Sequence, residues 1–259
     1  MAELVIHPNL YTIRRRRSLQ SSVPPPLRAD QAEQRYNEAV QAAVEKCAAD
    51  TAGQTCFICM DGAAAEGLVR GCACRGGAGF AHVSCLAEQA KILYAEAVEN
   101  NLSGKAQNVR WRRWDTCRLC EQRYHGVVSC ALGWACWKTY VGRPEGDWAR
   151  RLAMDVLGNG LHAANHPEDA VSVMEAELSM MRRLGAPEEN ILLVQGNLAC
   201  AYEMLGRLEE TLSLRQDVYS GRLKLNGEEH EMTLTAANNY ASSLGRLGRF
   251  KKASLCSTR

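Results

Sequence analysis

Eight cysteine and histidine residues between positions 56 and 120 have the spacing of metal ligands. They fall into four pairs: Cys56 and Cys59, Cys72 and Cys74, His82 and Cys85, and Cys117 and Cys120. One or two residues between partners let both side chains converge on one ion at the tip of a tight turn. Four pairs are enough for two closed tetrahedral sites, so the pattern predicts two structural Zn²⁺ ions.

The other cysteines show no comparable pairing. They are Cys47, Cys130, Cys136, Cys200 and Cys256. A disulfide framework is therefore the weaker interpretation. The first residues, MAELVIHPNLYTIRRRR, lack the continuous apolar run of a secretory signal. Unbound thiols and the absence of that run lead us to expect a cytoplasmic or nuclear protein.

Composition and charge exclude several classes of protein. The sequence is 46% hydrophobic and 23% charged, and its formal net charge is +2, so no nucleic-acid or acidic membrane partner is expected. The most apolar run, Val127 to Trp137, is about half of the roughly 20 residues that a membrane helix needs. We therefore predict no transmembrane span.

The segment around the ligands is too small and polar to fold by apolar burial alone. Glycines between Arg75 and Phe80 permit the backbone torsions of a tightly wound loop, and Phe80 is predicted to fill a small core. Metal binding should then supply much of the folding free energy. Spacing leaves the sharing of ligands open, because the first four cysteines could hold one ion in sequence or the four pairs could interleave.

These residues resemble the RING-CH (RING-variant) family. The resemblance covers about 65 residues and rests on three features: Cys74 as the fourth ligand, His82 as the fifth, and one residue inside the second pair. It implies an α+β cross-brace domain stabilised by zinc. The first ion would then be bound by Cys56, Cys59, His82 and Cys85, and the second by Cys72, Cys74, Cys117 and Cys120.

The resemblance also implies a function without a catalytic nucleophile. RING-CH domains recruit a ubiquitin-conjugating enzyme charged with ubiquitin and promote transfer to a substrate lysine. By this similarity Ile58, inside the first zinc knuckle, is the apolar contact for the conjugating enzyme. The alternative is that Ile58 is a partly buried loop residue.

Two departures from the family pattern affect this interpretation. The gap between Cys85 and Cys117 is longer than usual, and Gln89 stands where active members often have tryptophan. Either Trp111 or Trp114 supplies the missing aromatic contact, with Trp114 as our candidate, or the two pack against the zinc core. A PHD finger has the same ligand order but usually has an aromatic residue at the position of Asp115, so we consider it less consistent with the sequence.

A repeat of 42 residues occupies the C-terminal part of the chain. The run NLACAY at Asn197, followed by LGRL, is echoed by NYASSL at Asn239, followed by LGRF. A weaker copy precedes them, around Asn165. Over about 110 residues these units resemble tetratricopeptide repeats of the kinesin-light-chain kind, which implies an all-α solenoid of helical hairpins.

The resemblance implies a concave surface that binds a protein or peptide. Asn197 and Asn239 are then clamps for the backbone of the partner; the alternative is that they cap contacts between helices of a packing scaffold. The last unit stops at Arg259, within its second helix, and we expect either a truncated chain or a partner at that edge.

The predicted organisation has five parts. They are a basic, proline-containing disordered tail (1–29) with Arg14 to Arg17 as a solvated basic run or an import signal, a helix (30–52), the zinc finger (53–125), an apolar Trp-rich connector (126–145) and about two and a half repeats (146–259). The leading hypothesis is a ubiquitin ligase that selects substrates through its repeats. A non-catalytic scaffold is the alternative, and no phosphate loop or triad spacing favours another enzyme.

Overall fold

A computed structural model describes residues 29–63 and 66–249. Nine α-helices and one 3-10 turn lie in these ranges: α1 (Ala29–Thr51), α2 (Val83–Glu99), α3 (Gly104–Trp111), the 3-10 turn (Arg112–Trp114), α4 (Gly126–Tyr140), α5 (Trp148–Ala163), α6 (Pro167–Arg183), α7 (Glu188–Met204), α8 (Leu208–Asn226) and α9 (Glu231–Arg246). The predicted basic run Arg14 to Arg17 and the end of the last repeat, residues 250–259, lie outside the described residues.

The first helix packs antiparallel against α4, although the zinc region separates them in sequence. Near the start of α1, Glu33 pairs with Lys138 at 3.1 Å, and the Lys138 ammonium lies 3.9 Å from the centre of the Tyr36 ring. Near its end, Cys47 shares a buried cluster with Val128. The end of α1 and the start of α4 therefore lie close together, and residues 52–125 are an insertion within a helical hairpin.

The 42-residue period places this hairpin in the solenoid. Helix α5 precedes α7 by one period, α7 precedes α9, and α4 precedes α6. The helices also pack in the order α1, α4, α5, α6, α7, α8, α9. Helix α4 thus takes the place of the second helix of an earlier unit, and α1 is its first helix. Helix α4 lies within residues 126–145, the stretch predicted as an apolar connector, and it packs on α5 as α6 packs on α7.

Helix α4 carries apolar residues on most of its surface. This composition suits its position, because neighbouring helices cover most of it. Ten of its residues are buried, and α1, α2, α5 and the 3-10 turn all contact it. Its approach to α5 is close at two glycines. A Cβ at Gly160 would lie 2.6 Å from the Ser129 carbonyl oxygen, and one at Gly133 would lie 3.0 Å from the Leu157 Cα. A side chain at Gly160 would overlap the Ser129 backbone, and one at Gly133 would require the backbone of α5 to shift slightly.

The zinc region is joined to the solenoid by two buried clusters. One is aromatic: Trp111 and Trp114 lie with their ring centres 5.2 and 5.9 Å from that of Tyr140. The other unites residues of the zinc region with α1 and α4; its members include Leu68, Val69, Phe80, Val40, Ala43, Val128 and Leu132. The all-α solenoid and the zinc domain therefore share a core.

Strand pairing in the described ranges is limited to two isolated antiparallel bridges. They join Val69 to Ala81 and Thr116 to Arg123, one beside each group of ligands. Short pairing is expected where metal bonds, and not a sheet, fix the loops. In those same ranges, no helix is both long and apolar enough to cross a membrane.

Candidate metal centres and polar groove

The first group of ligands has the dimensions of a tetrahedral zinc site. The ligand atoms of Cys56, Cys59, His82 and Cys85 all lie within 4.8 Å of one another. The Cys59 and Cys85 sulfurs lie 3.4 and 3.6 Å from His82 Nδ1. Zn–S and Zn–N bonds of about 2.3 and 2.1 Å give a tetrahedral S–N edge of about 3.6 Å. The four atoms can therefore share one ion.

The histidine is held in the orientation that this site needs. His82 Nε2 lies 3.0 Å from the Gly62 carbonyl oxygen, to which it can donate only when its proton is on Nε2. The Nδ1 lone pair then faces the sulfurs. Such a carbonyl partner on the outer nitrogen is usual for histidines that bind metal. The sequence alone does not indicate this role of Gly62, because any residue type can supply a backbone carbonyl.

The second group is formed by four cysteines: Cys72, Cys74, Cys117 and Cys120. The Cys74 and Cys117 sulfurs are 3.8 Å apart, which equals the edge of about 3.8 Å expected for a ZnS₄ tetrahedron. Gly79 lies against this group and has a backbone φ of +83°. A Cβ at this position would lie 3.0 Å from the Cys74 sulfur. The loop can fold over the sulfurs only with glycine at this position.

Each group begins with the same kind of turn. The backbone N–H of Ile58 donates to the Cys56 sulfur at 3.4 Å, and that of Leu119 donates to the Cys117 sulfur at the same distance. Positive φ angles at Met60 and Glu121, each one residue after the second cysteine of the pair, complete the turns. The pairs Cys56–Cys59 and Cys117–Cys120 therefore form two like knuckles.

The electrostatics of both groups call for a cation. Desolvation, together with neighbouring thiols, raises the pKa of Cys85 to about 12 and that of Cys74 to about 11, and it raises the pKa of Cys72 further. In spite of desolvation, hydrogen bonds from backbone N–H groups lower the pKa of Cys56 and of Cys120 to about 7. Crowded thiols of this kind become thiolates when a divalent metal offsets their charge. Because the donor types and distances fit zinc and each set is complete with four ligands, the cross-brace and the two Zn²⁺ ions are confirmed.

Two apolar side chains stand on the knuckles. Ile58 is partly buried against the zinc core, and Leu119 is 50% exposed at the corresponding position of the other knuckle. Met60, next to the first knuckle, is 72% exposed. A role of Ile58 in binding a conjugating enzyme stays a prediction, but this part of the surface is accessible.

The tryptophans of the long insertion face inward. Trp114 is 1% and Trp111 6% exposed, and both lie in the aromatic cluster with Tyr94 and Tyr140. The enzyme contact that we assigned to Trp114 stays a prediction, and it would require the indole to leave this cluster. Gln89 is partly buried on α2.

The two asparagines of the repeats lie at the same place on successive first helices. Asn197 on α7 donates from Nδ2 to Oδ1 of Asp155 on α5, at 3.3 Å. Asn239 on α9 is exposed, and its backbone carbonyl accepts from Arg215 and Ser243. Asp155 lies one 42-residue period before Asn197. It was not predicted as a site residue, although the period could have identified it. The clamp role of the asparagines stays a prediction.

Comparison with known proteins agrees with the geometry of the ligands. Residues 56–120 match the RING-variant domain, with the first and last zinc ligands at its limits. The region that holds the two cross-braced sites is therefore a RING-variant domain. Among curated proteins, none matches this chain.

Three solved structures are similar to the chain. Two contain nearly identical TPR-like repeats of a proposed kinesin light chain from Podosopora anserina: one is 19% identical, covers 68% of this chain and 72% of the other, and has a TM-score of 0.45. The second, a variant of the same protein, is 16% identical, with 89% of each chain covered and a TM-score of 0.44. BtubC (BKLC) from P. vanneervenii is 13% identical; the match covers 87% of this chain and 70% of BtubC, with a TM-score of 0.43.

Proposed function

We propose that this protein is a ubiquitin ligase of the RING-variant type. The observation that carries the proposal is the RING-variant match over two complete, cross-braced ligand sets. A zinc ion with four protein ligands has no open position for water or substrate, so its part is to hold a surface in shape. Ligase activity then requires that this surface bind a charged conjugating enzyme.

The proposed enzyme-binding surface is the pair of knuckles. Ile58 and Leu119 project apolar side chains from equivalent turns, and Met60 extends the surface beside the first turn. Exposed apolar side chains such as Leu119 and Met60, beside the partly buried Ile58, are suited to make a few contacts in a transient complex. Transfer of ubiquitin itself takes place between the conjugating enzyme and the substrate lysine, so this chain contributes binding and orientation.

The helical repeats would bind the substrate. First helices of successive units lie side by side: Asn197 of α7 bonds to Asp155 of α5, and Arg246 of α9 pairs with Glu203 of α7. In this proposal, Asn197 and Asn239, one period apart on these helices, bond to the backbone of an extended segment. With ubiquitin and its conjugating enzyme as partners, the proposal implies a cytoplasmic or nuclear location.

An autoubiquitination assay tests the ligase proposal. Wild type should form ubiquitin conjugates with at least one member of a broad panel of conjugating enzymes. Ile58→Ala should lower the rate by about tenfold, because a lost central apolar contact costs about 1.5 kcal/mol or more. Cys56→Ser should abolish conjugation together with zinc binding at the first site.

The matched control is Leu234→Ala on α9, which truncates a similarly apolar side chain that is 53% exposed and distant in sequence from the knuckles. It should leave the rate unchanged. Conjugation by no enzyme of the panel, with wild type folded and holding two zinc ions per chain, would reject the ligase proposal.

A non-catalytic scaffold is the second candidate. It is favoured by Gln89 on α2, where a tryptophan contact is usual, and by the burial of Trp111 and Trp114. Under this alternative, a pull-down with the full chain recovers partners of the repeats but no conjugating enzyme.

A further inference from the structure

Three residues one period apart form a row across the first helices of the solenoid. They are Asp155 on α5, Asn197 on α7 and Asn239 on α9. Two of the three carry an amide, and the first carries a carboxyl. The row is continuous at its start, since Asp155 and Asn197 are bonded to each other.

The exchange of an amide for a carboxyl changes what the position can bind. An asparagine amide donates and accepts, so it matches both the N–H and the C=O of a peptide backbone, whereas an ionised carboxylate only accepts. Asp155 Oδ1 already accepts from Asn159 at 3.2 Å and from Asn197 at 3.3 Å. Among the residues that the structure describes, Oδ2 accepts no hydrogen bond. A ligand at this end of the row must therefore offer donors.

The charges near Asp155 also favour a cation. Arg151 lies 3.8 Å from Glu177 and also acts electrostatically on Asp155. Glu177 is fully buried and accepts no hydrogen bond, and desolvation raises its pKa well above the usual value. Arg123 is already paired with Asp115 at 3.8 Å. Desolvation raises the pKa of Asp155 in spite of Arg151, which means that its negative charge is not fully compensated.

The neighbouring surface suits an extended peptide. Leu193 and Met204 lie on α7 four residues before and seven after Asn197, on the same side of the helix, and they are 47% and 41% exposed. They offer apolar contacts to side chains of a segment whose backbone follows the row. At the other end, Asp115 and Arg123, which flank the second zinc knuckle, act electrostatically on Asp155. The row therefore begins next to the zinc domain.

We propose that the row binds an extended peptide with a lysine or arginine at one defined position. The cationic side chain docks on Asp155, and the peptide backbone bonds to Asn197 and Asn239. This inference rests on the proposed substrate-binding role of the repeats and names the class of segment that they select. It also places the basic end of the segment beside the zinc domain.

A positional-scanning peptide library tests the inference. Fluorescein-labelled 11-residue pools, each with Lys, Glu or Ala fixed at one position, are titrated by anisotropy into the full chain with zinc bound. For wild type we expect one position at which Lys binds at least about fivefold tighter than Ala. Asp155→Asn should keep binding but lose this preference, and Asp155→Lys should prefer Glu there. Asp217→Asn, an equal charge change on an exposed position of α8, is the matched control and should behave as wild type.

Three outcomes would overturn the inference. Binding without any preference for a cation, or a preference unchanged in Asp155→Asn, rejects the role of Asp155; loss of binding in Asn197→Ala would then still support a peptide groove. No binding of any pool rejects the groove as well. Autoubiquitination, measured on the same protein, reports on the zinc domain and separates failure of the ligase proposal from both.

Discussion

Gly79 shows how strictly one residue can control a metal site. Its φ is +83°, and a Cβ there would lie 2.6 Å from the Cβ and 3.0 Å from the sulfur of Cys74. Gly76, in the same loop, also has a positive φ of +61° but would have no atom within 4 Å of an added Cβ. Substitution of Gly76 would therefore introduce backbone strain alone, whereas substitution of Gly79 would add a clash with the zinc ligand Cys74.

Substitution at these positions should have unequal effects on zinc binding. Gly76→Ala carries only the left-handed backbone penalty, about 1 kcal/mol. Gly79→Ala carries that penalty and also displaces Cys74, so we expect at least a tenfold loss of zinc affinity at the second site. Competition with a chromogenic chelator measures both variants. Equal zinc affinities of the two variants would show that the loop around Cys74 can shift without weakening zinc binding.

Sequence predicted the ligands but could not assign them to ions. Local spacing brings Cys72 and Cys74 together whichever ion they serve, and only the resemblance favoured Cys117 and Cys120 as their partners. Asp155 was missed for another reason. The repeat was recognised by its asparagines, so a carboxyl at the equivalent position did not look like part of the row.

Helices α4 and α5 meet at their glycines, and this contact can be tested at the scale of the element. A methyl group at Gly160 would overlap the backbone of Ser129, which cannot rotate away as a side chain can. Overpacking of this kind costs about 1–3 kcal/mol. Gly196 in α7, by contrast, has nothing within 4 Å of an added Cβ.

We therefore expect opposite effects of two identical substitutions. Gly160→Ala should lower the melting temperature by several degrees, and Gly196→Ala should leave it unchanged or raise it slightly, since alanine is favoured in a helix by about 1 kcal/mol. Thermal unfolding followed by circular dichroism measures both. Equal stability of the two variants would mean that α4 and α5 can separate freely.

The helical nature of α4 was harder to predict than that of α7 or α9. An amphipathic stripe needs a polar side, and α4 has ten buried residues because neighbours cover most of it. Its run of apolar residues resembled a linker between domains. The 42-residue period predicts a helix at the position of α4. It does not predict that the helix paired with α4 is α1, because α1 precedes the zinc domain in sequence.

At the scale of the whole molecule, the zinc domain and the solenoid stabilise each other. Val128 and Leu132 of α4 are buried with Leu68 and Phe80 of the zinc domain. A Cβ at Gly71 would lie 2.4 Å from the Cβ of Val128, which shows how close the two parts are. Loss of zinc should therefore affect α4 as well as the loops that hold the ligands.

Chelation should expose this coupling in hydrogen exchange. After removal of zinc under reducing conditions, we expect faster amide exchange in residues 56–120 and in the first half of α4. Helices α8 and α9 pack on each other and on α7, so their exchange should not change. Mass spectrometry of the exchanged peptides measures all three regions. Unchanged protection of α4 would show that the shared core is independent of metal.

The insertion within the α1–α4 hairpin also affects the path of folding. A hairpin of adjacent helices closes over a few residues, whereas α1 must wait for all of residues 52–125 before α4 is available. Each doubling of the length of an open loop adds about 0.6 kcal/mol to the entropic free-energy cost of closing it, and long-range contacts slow folding. Zinc holds Cys56 near Cys85 and Cys72 near Cys120, so a chain that binds zinc early closes a shorter effective loop between α1 and α4. The metal thus helps to start the solenoid that follows it.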